Sequence, residues 1–203
     1  MKTELTLLRT QLDPHFMFNT LNNIYLLVLD KSPKASDSVS LLSELLNYVL
    51  YESYDTKVEI AKEIEFIESY ISLQKLRLDP SQHVIIQKDD LLQGSIAPLI
   101  VFNFIENAFK HAQGMHASSY GYCYIAISLN SLDGYLYLSV TNGRSPGKET
   151  KPQKKKGIGI ENTKKRLSLI YDDRYLVDIQ ETASIYSVQL KVPIDEDKLP
   201  YSR

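Results

Sequence analysis

Asn103-Phe-Ile-Glu106-Asn107-Ala-Phe-Lys110-His111 is the stretch on which the reading of this 203-residue chain turns. It sits in a segment, Pro98 to His111, that reads as a helix. Glu106, Asn107, Lys110 and His111 fall at helical spacings and share one face, with Asn103 one turn back from Glu106 and Asn107. A plain amphipathic helix with solvated Glu and Lys has the same period. An amide, a carboxylate, a cation and an imidazole on one face can also hold a ligand.

Strand patterns surround this helix. Val84 to Gln87 is a short strand candidate. Tyr122 to Leu129 alternates Cys123, Ile125, Ile127 and Leu129 against Tyr122, Tyr124, Ala126 and Ser128. Tyr135 to Thr141 alternates Leu136, Leu138 and Val140 against Tyr135, Tyr137 and Ser139. Asp133-Gly134 between these two runs predicts a hairpin turn. Residues 143–157 are rich in Gly, Pro, Ser and Lys and read as a loop. A helix over Ile160 to Tyr171 follows, then strands over Tyr175 to Gln180 and Ile185 to Val192. Strands and helices mix without βαβ repetition, so the fold class is α+β, an antiparallel sheet covered by helices on one face.

The N-terminal part is different. Residues 4–30 read as a helix with two adjacent stripes. Leu5, Leu8, Leu12, His15, Asn19, Asn22, Leu26 and Leu29 form one; Leu7, Gln11, Pro14, Phe18, Leu21, Tyr25 and Val28 form the other. Pro14 is expected to kink or loosen it. After a turn over Lys31 to Ser38, a second helix places Leu41, Leu42, Leu45, Leu46, Val49 and Leu50 inward. A possible break falls near Asp55-Thr56. The pattern resumes at Ile60, Ile64, Ile67 and Ile71 and ends at Asp79-Pro80. A lone helical hairpin cannot bury two stripes per helix, which points to a homodimer closing a four-helix bundle. The expected division is a helical hairpin over 1–80 and an α/β unit over 81–203.

Bulk properties set limits. A net charge of −2 gives no global attraction to nucleic acid or acidic membrane. One cysteine, Cys123, allows no internal disulfide, which suits a reducing compartment. No apolar run approaches the roughly 18–20 residues that span a bilayer.

Three strings carry chemistry. The first is Gln11-Leu-Asp13-Pro-His15-Phe-Met-Phe-Asn19. A polar patch in a bundle can simply set register. However, Pro14 to Asn19 matches P-H-F-x-F-N and resembles the phosphoacceptor motif of LytS/YehU-type sensor histidine kinases. Imidazole is a good nucleophile near neutral pH. Asp13 and Asn19 are candidates to hold its second nitrogen and orient the ring. Phe16 stands where many histidine kinases carry an acid, so the proton acceptor stays open. The second string, Glu106 to His111, resembles the N-box (E-N-A-x-K-H) of the GHKL ATPases, and Ala97-Pro98-Leu99 looks like that family's approach to it. The resemblance implies that Asn107 ligates Mg²⁺, that Lys110 and His111 approach the phosphates of ATP, and that Asn103 shares this nucleotide-binding face. Glu106 joins His15, Asp13 and Asn19 as a catalytic candidate. The third, Gly157-Ile-Gly159-Ile-Glu-Asn162-Thr-Lys-Lys-Arg166-Leu, resembles the G2 box that closes the nucleotide lid. By that likeness Gly157 and Gly159 contact phosphates and Asn162 caps or binds them. Arg166 reaches a phosphate or pairs with a surface acid. A lysine in the run Lys148 to Lys156 is a further, weaker candidate.

The match is imperfect at the adenine motif, where the family has an Asp. Here the strand ends Val140-Thr141-Asn142-Gly143, and Asn142 takes that place. It keeps an acceptor oxygen but loses the charge, which predicts weaker ATP affinity. Tyr186-Ser187 replaces the family's Gly-Thr near the last strand. The resemblance spans roughly residues 3–195. It implies a GHKL (Bergerat) sandwich behind a dimeric hairpin and Mg-ATP-dependent autophosphorylation on His15. It further implies phosphotransfer to a response regulator, commonly a DNA-binding transcription factor, so nucleic acid is only an indirect partner. A membrane-embedded sensor would precede a cytoplasmic portion such as this. The rivals are a non-catalytic dimeric scaffold of the same fold, motivated by Asn142, and a GHKL-type protein-serine kinase or ATPase with no use for His15.

Overall fold

Pro14 opens the first helix among the described residues. The computed structural model describes residues 12–78, 82–89, 92–112, 123–143, 158–182 and 184–195. Helix α1 spans Pro14–Leu29, and Asp13 caps it by accepting a hydrogen bond from the His15 backbone N–H at 2.9 Å. Proline is well suited to the first turn, where its missing N–H has no partner to lose. The expected helical residues 4–11 lie outside the described residues. A turn with Lys31 in the left-handed region (φ 49°) leads to α2, Lys34–Leu50.

The anticipated break is complete. After α2 a 3-10 turn (Glu52–Tyr54) leads into β1 (Val58–Glu59), which pairs antiparallel with β3 (Ser95–Ile96). Helix α3, Ile60–Lys75, therefore starts afresh instead of prolonging the hairpin arm. Its aromatic side chains pack against α4, Ile100–Ala112. The Phe66 and Tyr70 rings both lie 4.9 Å from Phe102, and Tyr70 lies 5.6 Å from Phe109, all edge-on.

The main sheet contains β2 (Gln82–Lys88), β4 (Cys123–Leu132), β5 (Tyr135–Gly143), β6 (Leu176–Glu181) and β7 (Ile185–Pro193), ordered β2-β4-β5-β7-β6. All neighbours are antiparallel except β2 and β4, which are parallel. The exception corrects the all-antiparallel expectation. The chain from β2 to β4 crosses over through α4, and a helical crossover returns a strand in the same direction. The alternation holds: Ile125, Ile127, Leu129, Leu136, Leu138, Val140, Val188, Leu190 and Val192 are buried beneath α4. Helix α5, Ile158–Tyr171, contributes Leu167 and Tyr171 to the same core. Helix α4 is buried nearly all round because it has the sheet on one side and helices on the other. Helices and a mixed sheet form two layers, the α+β class that the patterns imply.

A clasp closes the end of the sheet near the hairpin. Gly94 sits at φ +98°, and its carbonyl accepts from the Ile60 N–H at 3.0 Å. Ser95 and Asp195 exchange backbone hydrogen bonds of 2.9 and 3.0 Å, and Lys57 pairs with the Asp195 carboxylate. Helix α1 keeps a row of apolar side chains in solvent, with Phe18 68% and Tyr25 62% exposed beside Leu21, Leu26 and Leu29.

Candidate functional site

Helix α1 begins beside the exposed end of α4. Phe16, buried, packs its ring 4.9 Å from that of Tyr70 and anchors this start of α1. Anchoring Phe16 holds its neighbours Asp13 and His15 at the polar face of α4. The Lys110 ammonium lies 3.0 Å from Glu106 and 3.6 Å from Asp13. Thus Asp13, from the phosphoacceptor string, and Glu106 with Lys110, from the second string, converge on one spot. The Asp13 carboxylate is occupied by the His15 backbone and by Lys110 rather than by the imidazole ring. The ring's close partner is Asn19, whose amide nitrogen lies 3.0 Å from Nδ1 and 3.1 Å from Nε2. An amide N–H donates to whichever nitrogen lacks a proton, so this contact orients the exposed ring.

Glu106 is mostly buried. Burial pushes its carboxyl above the usual range, while Lys110 and the Asp13 backbone N–H pull it back and the Asp13 charge pushes it further up. The folded protein therefore holds this proton over a pH range where the unfolded chain has released it. Stability from this group is complete below the free carboxyl value and declines as pH rises through the folded one. Glu106→Gln is expected to remove that decline. Urea midpoints of wild type and variant should diverge between acid and neutral pH, with wild type losing ground as pH rises. Parallel curves would show that Glu106 titrates as a free carboxyl.

Along α4, Asn107 donates its amide to the Tyr186 hydroxyl at 3.3 Å. The donor end is thereby engaged, and the carbonyl oxygen is the end suited to a hard cation. The exposed His111 ring stands 5.7 Å from the same tyrosine ring. Asn103 donates to Thr163 Oγ1 at 3.1 Å, and Thr163 donates in turn to the Gly159 carbonyl at 2.9 Å. Asn103 thus ties α4 to the start of α5. A Cβ at Gly159 would meet nothing within 4 Å, so packing within the protein does not demand glycine there. Asn162 is half-buried in the first turns of α5. Gly157 and the lysine run 148–156 lie outside the described residues. Arg166 is buried, 4% exposed, which corrects the surface pairing. Its charge acts on Glu63, Tyr48 and Tyr171 in the interior.

Asn142 is fully buried on β5, opposite Tyr186 of β7. Its amide nitrogen donates to the Gly143 carbonyl at 2.9 Å, and its Oδ1 is a buried acceptor with no hydrogen-bond partner. Such an orphan costs free energy that an interior rarely tolerates. It fits an amino group such as that of adenine, so the donor set suits the nucleotide that the resemblance implies. Tyr186 is a site neighbour that strand alternation leaves undistinguished; only its position opposite Asn142 marks it.

Comparison with known proteins points to histidine kinases. The family model described as histidine kinase matches residues 3–82. Sensor protein LytS of Enterococcus faecalis is 24% identical over 98% of the chain. The chain is similar to LytS-type sensor histidine kinases over nearly its whole length. It spans 35% of the length of that LytS relative. Among solved structures, the histidine kinase domain of the blue-light activated histidine kinase EL346 from Erythrobacter litoralis aligns with a TM-score of 0.50 at 12% identity. That alignment covers 95% of this chain and 94% of the other. Full-length ShkA in complex with AMPPNP aligns with the same score at 16% identity, covering 82% of this chain and 38% of that one. These structures share the GHKL-type catalytic fold, with helices packed on a mixed sheet. Among the described residues, no helix is long and apolar enough to cross a membrane.

Proposed function

We propose that this chain is the catalytic portion of a two-component sensor kinase that phosphorylates itself on His15 with Mg-ATP. The observation that carries the reading is the convergence of Asp13, at the start of the His15 helix, with Glu106 and Lys110 of the nucleotide helix. The orphan acceptor on Asn142 supports it, and ShkA, crystallised with AMPPNP, offers a precedent for nucleotide binding in this fold. In this reading Asn142 receives the adenine amino group. Asn107 offers its carbonyl to Mg²⁺, which supplies charge neutralisation on the phosphates. Lys110 and His111 contribute positive charge and donors at the same end of α4, and Gly157, Gly159 and Asn162 line the phosphate side. An unprotonated His15 nitrogen forms the N–P bond as the bond from the γ-phosphorus to the ADP oxygen breaks. Asn19 holds the ring, and Glu106, whose carboxyl burial pushes above the usual range, suits a proton acceptor. Catalysis is then mostly positioning and electrostatics.

The exposed row on α1 is read as the dimer interface, closing a four-helix bundle with a second copy. The hairpin unit is read as residues 1–80 and the nucleotide-binding unit as 81–203. The phosphoryl group passes to an aspartate of a response regulator. The chain works at the cytoplasmic face, with a sensor region outside it.

Incubation with γ-labelled ATP and Mg²⁺ tests this. Acid-labile, base-stable label is expected, and both His15→Gln and Asn107→Ala are expected to lower it by at least about a hundredfold. Label that survives in His15→Gln moves the phosphoacceptor elsewhere and favours the serine-kinase class. The neutral Asn142 favours a second reading, a dimeric scaffold, and absence of ATP binding at millimolar nucleotide selects it.

A further inference from the structure

Glu63 lies outside every string that carries the kinase resemblance, yet it is the most enclosed carboxylate described, 1% exposed on α3. It accepts a hydrogen bond from the Tyr48 hydroxyl of α2 and another from the Leu99 backbone N–H at 2.9 Å. Leu99 is the residue before α4 and holds a left-handed backbone, φ 60°, which a leucine adopts only when its surroundings impose it. A carboxylate at the N-terminus of a helix also satisfies amides that have no partner within the helix. The Phe102 backbone and the buried Arg166 of α5 favour its charged form as well, against the upward push of burial. One side chain therefore meets the hairpin, the start of the nucleotide helix and the field of the lid helix.

We propose that Glu63 is a positioning residue that ties the placement of hairpin arm α2, through Tyr48, to the seating of α4 and so to Asn107 and Lys110. A shift of α2 that withdraws the Tyr48 hydroxyl leaves Glu63 only the backbone groups at the start of α4 and loosens the turn that aims α4. This rests on the kinase reading for its consequence, but the mechanical tie does not depend on it.

Tyr48→Phe removes the hydroxyl and keeps the ring, which stacks on Phe66 at 4.5 Å. Tyr70→Phe is the control, since its buried hydroxyl accepts from Gln74 and does not touch Glu63. In the full chain, Tyr48→Phe is expected to speed hydrogen exchange at the Leu99–Phe102 amides about tenfold, the loss of one buried hydrogen bond. The rate of His15 phosphorylation should fall about tenfold while the ATP Kd stays within about twofold. Unchanged exchange, an unchanged rate in an active kinase, or equal effects from Tyr70→Phe would each overturn the proposal. Faster exchange in Tyr48→Phe, in a chain that neither binds ATP nor takes label, supports the tie and removes the kinase reading instead.

Discussion

Asn142→Leu is expected to raise the stability of the fold while weakening nucleotide binding. The Asn142 Oδ1 is buried without a hydrogen-bond partner. An orphan of this kind costs about 1–3 kcal/mol, and leucine fills similar space with no polar atom. The substitution also gives up the hydrogen bond to the Gly143 carbonyl, worth about 1 kcal/mol, so the net gain is on the order of 1 kcal/mol. For ATP the sign reverses. An adenine amino group facing leucine loses its acceptor inside a closed site, which weakens binding by on the order of 2 kcal/mol, or about thirtyfold. Urea unfolding and calorimetric ATP titration on one preparation check both halves. A variant that is less stable and binds ATP as wild type does would take Asn142 out of the nucleotide site. Stability and function pulling in opposite directions at one residue is what a preorganised binding group produces.

Gly94→Ala is expected to be the most destabilising small change in the chain. A Cβ there would fall 2.2 Å from Ile194 Cγ2 and 2.9 Å from the Asp195 carbonyl oxygen, on a backbone already at φ +98°. The positive φ costs about 1 kcal/mol and the overlap about 2 more, because the obstructing atoms include backbone held by the Ser95–Asp195 pairing. About 3 kcal/mol corresponds to a Tm lower by roughly 6–12 °C. Gly134→Ala isolates the contact contribution. Gly134 has φ +75° in the Asp133-Gly134 turn, but a Cβ there meets nothing within 4 Å. Only the backbone cost, about 1 kcal/mol, should appear. Equal losses at the two glycines would mean that the clasp yields to the added methyl group.

The strands and α4 were legible because one face of each is buried and the other is not. Leu136, Leu138 and Val140 announce β5 by period alone, and Asp133-Gly134 marks the turn before it. Two-residue strands such as β1 and β3 have no period to read. Ile60, Ile64, Ile67 and Ile71 share a helical face, but spacing does not say which neighbour that face meets. Helix α3 meets both α2, where Tyr48 stacks on Phe66, and α4, and the pairing of Val58 with Ile96 fixes where α3 begins. Pro14 begins the helix over Pro14–Leu29, capped by Asp13, and the helix expected on its other side lies outside the described residues. Glu63 is one of four glutamates between residues 59 and 68. Composition makes that segment look solvated, and no one-dimensional signal singles out the carboxylate that is enclosed. Arg166 is hidden in the same way among Lys164 and Lys165.

The sharing of Lys110 has a consequence of its own. Its ammonium is bracketed by Glu106 at 3.0 Å and Asp13 at 3.6 Å, so its charge is already spoken for before any anion arrives. A phosphate that recruits Lys110 competes with two carboxylates, and one of them caps the helix bearing His15. The arrangement behaves as an interlock: drawing the lysine toward an incoming anion unfastens the start of α1 from α4 in the same movement. On the proposed function, the phosphoacceptor would be released from its resting tether by the arrival of the group that modifies it.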